Sequence, residues 1–256
     1  MKIRPLMLVF WLSIMLLPAA ALVTASRAQP KPGWSWPEKP KNLKVLPADI
    51  GKDRLRSTMI GFTRALGNRC SDCHVGQEDQ PLETYDFASD ENPKKNVARG
   101  MLRMVDSINV QLGRIRPTRS EGVQLSCVTC HRGVAIPRTL VQELTVVYDK
   151  SGADSAAATY AALRSAHEDA GAYDFREGGL ITLAYRALAR KDVAGAVTLF
   201  ELNLERFPTS GTAHHVLADG YLAAADTARA VANYRRALEL NPRDENAAKQ
   251  LEALKR

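Results

Sequence analysis

All four cysteines of the chain fall in two Cys-x-x-Cys-His motifs, Cys70-Ser-Asp-Cys73-His74 and Cys127-Val-Thr-Cys130-His131. Two thiols at this spacing can form thioethers with the two vinyl groups of a haem, and the next histidine is then held beside the iron as its proximal ligand. The duplicated motif therefore predicts two covalently attached haem c groups. One sits on Cys70 and Cys73 with His74 on the iron, the other on Cys127 and Cys130 with His131. A structural zinc site can also be built from two Cys-x-x-Cys knuckles, but these usually lie about 15–20 residues apart. Here more than fifty residues separate Cys73 from Cys127. Zinc also gives no reason for a histidine directly after each pair, so haem outweighs both zinc and a disulfide or redox pair.

A thioether is a soft, neutral sixth ligand that stabilises ferrous iron and raises the reduction potential. Past residue 15 the methionines are Met59, Met101 and Met104. All three fall on segments with helical periodicity that precede a cysteine motif. Leu55, Met59, Phe62 and Leu66 recur at i, i+4, i+7 and i+11, with Gly67 where a helix C-cap belongs. Val97, Met101, Met104 and Ile108 repeat the spacing and predict a second helix over about 93–112. Met59 is the expected distal ligand of the first haem. Met101 occupies the equivalent place for the second, while Met104 matches Phe62 and is expected to pack against the ring. Methionines on an apolar helix face ordinarily fill the core; two adjacent haem motifs reverse that preference.

The unit of amphipathic helix, turn, Cys-x-x-Cys-His-x-Gly thus occurs twice, closed by Gly76 and Gly133, and reads as an internal duplication. Between the units, residues 77–92 form an acidic loop that includes Asp86 and Asp90 and is expected to be solvated. His167, His214 and His215 lie far along the chain and read as surface or packing residues. No Ser-His-Asp set, paired carboxylates or glycine-rich phosphate loop stands out, which leaves hydrolytic and phosphoryl-transfer chemistry without a candidate site.

At the start of the chain, Lys2 and Arg4 precede an apolar run from Leu6 to Leu17, and Ser26-Arg27-Ala28 offers small residues for cleavage. Residues 1–28 are expected to be a signal peptide, with an uncleaved membrane anchor as the alternative. Export suits covalent haem attachment, which takes place outside the cytoplasm, and points to the periplasm. Residues 29–46 are rich in proline and lysine, with Trp34 and Trp36 in Pro-Gly-Trp-Ser-Trp-Pro, and read as an extended tether. The 256 residues suffice for two modest domains, with 45% hydrophobic and 25% charged residues as in ordinary globular proteins. The formal charge of +7 falls by three with the leader. The remaining basic residues form no long run, so no nucleic-acid partner is expected.

The segment from about 46 to 137 resembles the cytochrome c subunit of photosynthetic reaction centres. The resemblance rests on Ser57-Thr-Met59-Ile-Gly-Phe62-Thr-Arg-Ala-Leu66-Gly, Phe87-Ala-Ser-Asp90, Ala98-Arg-Gly-Met101-Leu-Arg-Met104, Ile108-Asn109 and Cys127-Val-Thr-Cys130-His131-Arg-Gly133. It implies helices parallel to the haem planes, methionine ligands from those helices, and electron delivery to a membrane-bound redox partner. Members that serve photosynthesis typically carry four haems, so this chain resembles half of one. Respiratory and other extracytoplasmic redox pathways could use a similar two-haem chain.

The last third repeats at a period of 34: Leu183, Ala184, Ala196, Phe200 and Pro208 align with Leu217, Ala218, Ala230, Tyr234 and Pro242. This resembles tetratricopeptide repeats, with hairpins over 177–210 and 211–244 and a capping helix over 245–254. Such stacks present a concave surface able to hold a peptide or a partner protein.

Taken together, the expected fold is mostly α: a two-haem cytochrome c domain (47–137), a helical connector (138–176) and an α-solenoid of tetratricopeptide repeats (177–256). Electron transfer is the expected function, rather than catalysis. A two-haem peroxidase-like oxidoreductase and a repeat-based scaffold with redox-sensing haems are the alternatives.

Overall fold

The computed structural model describes residues 34–115 and 123–254. The expected leader and cleavage site, and the first part of the tether, lie outside the described residues. From Trp36 onward the chain falls into one compact unit. Among the described residues it is helical, with a single antiparallel bridge between Val75 and Asp86. No described helix is long and apolar enough to cross a membrane.

Helix α1, Lys52–Leu66, carries Asp53 in its first turn and Arg64 in its last, each complementing the helix dipole. It buries Leu55 and Ala65 and ends at Gly67, whose left-handed φ of 64° is one a residue without Cβ adopts at little cost. Helix α2, Pro93–Leu112, starts on Asn92, whose side chain accepts from the Lys94 amide, with a proline in the first turn. The five-residue α3, Cys127–His131, starts on Ser126 in a capping box with Thr129. It packs against the end of α1, where the Gly133 amide donates to the Ala65 carbonyl at 2.8 Å.

Helix α4, Leu140–His167, is interrupted at Gly152 (φ 81°, ψ −177°) and falls within the stretch expected as a helical connector. Then come α5 (Gly178–Ala189), α6 (Val193–Arg206), α7 (Gly211–Ala223), α8 (Thr227–Leu240) and α9 (Glu245–Leu254), each packed on its predecessor. The 34-residue period reaches into the backbone of the turns. Asp192 and Asp226 cap α6 and α8 through the Gly195 and Arg229 amides. Ser210 and Asp244 serve the amides of Ala213 and Ala247 at the starts of α7 and α9. Lys191 and Ala225, in corresponding turns, take left-handed φ values of 64° and 59°.

Small residues then let the helices approach. A Cβ on Gly220 would lie 2.8 Å from the Phe200 ring, so glycine at this point of α7 admits the aromatic of α6. Leu140, Leu144 and Tyr160 of α4 share one apolar core with Leu183, Leu199, Phe200 and Tyr234.

Candidate functional site

A cavity of about 200 Å³ lies between α1, the first cysteine motif, α2 and residues 36–46. One face of α1 supplies Met59, Ile60, Phe62, Thr63 and Leu66, which the helical repeat places side by side. Cys70, Cys73 and His74 face the same space. Met59 and the first motif, 11 residues apart in sequence between Met59 and Cys70, are therefore brought to one hollow. Its lining is mainly apolar, as a porphyrin face requires, and it has the sulfur, thiol and imidazole groups that would hold a haem c.

The lower part of this wall is built through a glycine. A Cβ on Gly76 would lie 2.3 Å from the Tyr85 ring, so only a residue without one lets Tyr85 rest on the motif. Tyr85 donates to the Gln77 carbonyl at 2.7 Å and stacks on Phe87 at 5.5 Å between centroids. Phe87 in turn meets the His74 imidazole edge-on at 5.0 Å. His74 Nδ1 is buried without a hydrogen bond of normal geometry. Burial foremost, then the nearby Lys95 ammonium, hold the His74 pKa below its ordinary value, against a weaker pull from the Phe87 backbone. A neutral imidazole is the form that binds a metal. Burial likewise pushes up the thiols of Cys73 and Cys127, the opposite of an activated redox thiol. The four cysteines form no disulfide. Among the described residues no three His, Cys, Asp or Glu side chains are placed to share a metal ion.

Two features of this cavity depart from the sequence expectation. The segment read as a tether folds back, and its Trp36, Asn42, Leu43, Val45 and Leu46 line the hollow. The acidic loop read as solvated ends in a polar hub. Asp90 accepts from Asn42 at 2.9 Å and pairs with Lys44 at 2.6 Å, Arg99 at 2.8 Å and Lys95 at 3.4 Å. Lys44 first, then Asn42, with Arg99 and Lys95, hold the Asp90 carboxyl well below the usual carboxylate range. Arg99, only 8% exposed, also donates to Asn96 Oδ1 and the Asn42 carbonyl. Lys95 donates to the carbonyls of Phe87, Ala88 and Ser89. Lys95 and Arg99 both line the cavity, and neither was singled out from the sequence. Their i, i+4 spacing on α2, after an acidic residue, was the available signal.

The second motif is held differently. Asn109 of α2 brackets the chain just before it, donating to the Leu125 carbonyl at 2.9 Å and accepting from its amide at 2.7 Å. His131 Nδ1 lies 3.0 Å from the Val134 carbonyl. A carbonyl can only accept, so Nδ1 carries the proton and Nε2 keeps its lone pair for a metal. Met101 and Met104 are 43% and 48% exposed on α2, and Val97 on the same helix is 59% exposed. Neither lines the first cavity, and Cys127, Cys130 and His131 do not either. The turn that ends α1, three residues before the first motif, meets the turn that closes the second: a Cβ on Gly67 would lie 2.2 Å from the Gly133 carbonyl oxygen.

Comparison with known proteins places these features in context. The family model described as photosynthetic reaction centre cytochrome C subunit matches residues 17–169, more than half of the chain. A photosynthetic reaction center cytochrome c subunit of Roseobacter denitrificans (strain ATCC 33942 / OCh 114) is 34% identical over 110 residues, 42% of this chain and 28% of that protein. The match thus spans less than a third of the relative's length.

Proposed function

The chain belongs to the photosynthetic reaction centre cytochrome c subunit family, and on that premise we propose that it is an exported, two-haem c-type cytochrome that exchanges electrons with a membrane-associated partner. The observation that carries this reading is the convergence of Met59, Cys70, Cys73 and His74 on one mainly apolar cavity. Haem c, when bound, supplies an iron that gains and loses one electron without any substrate bond being broken. The chain's own residues do the rest. Cys70 and Cys73 would fix the ring through thioethers, and His74 through an imidazole nitrogen and Met59 through its sulfur would hold the iron. Ile60, Phe62, Leu66 and Phe87 line the cavity with apolar surface and would keep water from the iron. Cys127, Cys130 and His131 would hold the second group, with the protonated Nδ1 of His131 anchored on Val134 and Met101 offered from α2.

The C-terminal hairpins are read as tetratricopeptide repeats that hold a peptide or helix of a partner near the haem domain. The 34-residue recurrence of caps and left-handed turns supports that reading. The leader directs the chain to the periplasm.

The test is to express the full chain with haem-maturation machinery, weigh the product and record oxidised and reduced spectra with and without carbon monoxide. Two covalent haems, low-spin and indifferent to carbon monoxide, are expected. Met59→Ala should convert one of them to a form that binds carbon monoxide. A high-spin haem in the unaltered protein would favour the peroxidase-like reading, and no covalent haem would sink the proposal.

A further inference from the structure

We propose that the residues around His74 set a higher reduction potential than those around His131, so that the first site is the electron-accepting member of the pair; this rests on the two-haem reading above. Two independent features point the same way.

The first is fixed charge. Lys95 and Arg99 line the cavity that His74 and Met59 face, and their side chains are only 13% and 10% exposed. They cannot swing away. Lys95 is tied to three successive carbonyls, and Arg99 to Asn96, Asn42 and Asp90. With Lys44, three cations share the single carboxylate of Asp90, so the cluster carries a net positive charge. A buried cation disfavours further positive charge nearby, and therefore favours the reduced iron. Beside His131, by contrast, the adjacent cation Arg132 is exposed, where water screens it.

The second feature is the proximal imidazole itself. His131 donates through Nδ1 to the Val134 carbonyl, a bond that makes the ring a stronger electron donor and stabilises the oxidised iron. His74 Nδ1 makes no hydrogen bond of normal geometry, its ring meeting only a weaker pull from the Phe87 backbone. Each difference places the first site above the second.

The experiment is a redox titration of the holoprotein followed in the visible spectrum, with haem content checked by mass. Two one-electron waves are expected. Lys95→Met should weaken reduction of the higher wave by about tenfold, or about 59 mV for a one-electron couple, and leave the lower wave in place. Lys95→Arg, which keeps the charge, should restore it. Asp90→Asn strips the cations of their counter-charge and should move the same wave upward. The opposite signs separate charge from simple loosening of the pocket, which would lower the potential in both variants. The proposal is overturned if the lower wave moves, if neither moves, or if Lys95→Met and Asp90→Asn shift in the same direction. Fewer than two covalent haems in the unaltered protein would instead overturn the reading on which it rests.

Discussion

Gly67 and Gly61 lie six residues apart at the end and in the middle of α1, yet adding one methyl group to each should have opposite effects. Gly61 is exposed within the helix, and a Cβ there meets nothing within 4 Å. Gly61→Ala should therefore stabilise the protein by about 0.5–1 kcal/mol, the helical difference between the two residues. Gly67 faces three penalties. Its φ of 64° costs an L-residue about 1–2 kcal/mol. The new Cβ would stand 2.2 Å from the Gly133 carbonyl oxygen and 3.2 Å from its carbon, which is backbone and cannot rotate away. Relieving such overpacking costs about 1–3 kcal/mol. Backing α3 away from α1 would also stretch the 2.8 Å bond from the Gly133 amide to the Ala65 carbonyl, worth about 0.5–1.5 kcal/mol. These are not fully additive, and a loss of about 3–5 kcal/mol is expected for Gly67→Ala. Urea unfolding followed by helical circular dichroism measures both variants on the holoprotein. Because the clash is against the turn that closes the second motif, Gly67→Ala should also lower haem attachment at Cys127 and Cys130. A Gly67→Ala protein within about 0.5 kcal/mol of wild type would refute the close packing of the α1 terminus against the turn that closes the second motif.

Three further perturbations test other parts of the molecule. Asn203 is fully buried in α6 with both amide atoms unpaired, where the corresponding residue 34 positions on is Ala237. Asn203→Ala should raise stability by about 1 kcal/mol as the unpaired polar group is removed; a loss in thermal melting would show that the amide has a partner. In the repeat region, Tyr185 and Tyr234 each donate to one Asp219 oxygen at 2.5 Å, and burial foremost, then that bond, pushes both phenols up. The fold thus favours the protonated phenols. Their stabilisation should be complete below pH ~10 and be lost as the pH rises through the raised values. Tyr234→Phe should reduce that alkaline slope in pH-dependent unfolding, and an unchanged slope would reject the assignment. Gly76→Ala should drive Tyr85 off the first motif and, through Phe87, disturb only the haem on His74. A spectrum altered at the second haem alone would contradict this.

What could be read from the sequence divides along a physical line. Helix α1 and its glycine stop, the span of α2, and the repeat hairpins are set by local periodicity and capping, which depend on neighbours within a few residues. The cysteine motifs carry their proposed chemistry in adjacent residues, so that reading draws on no fold. The polar hub did not announce itself, because its members come from three stretches: Asn42 and Lys44, then Asp90, then Lys95 and Arg99. Read singly, each is a lysine, arginine or aspartate of the kind found on any solvated surface. Only when the arm folds back do they become one cluster, with Lys95 and Arg99 largely buried and lining the same cavity as His74. That folding also explains why a proline- and lysine-rich arm is ordered at all. Leu43, Val45 and Leu46 line the cavity, while Asn42, which lines it too, and Lys44 form a polar edge that binds Asp90. Neither edge alone would repay the entropy of fixing the arm. The same segment thus closes the first site and helps complete the cluster proposed to set its potential, which makes Asp90→Asn the most direct probe of whether cover and charge are one device.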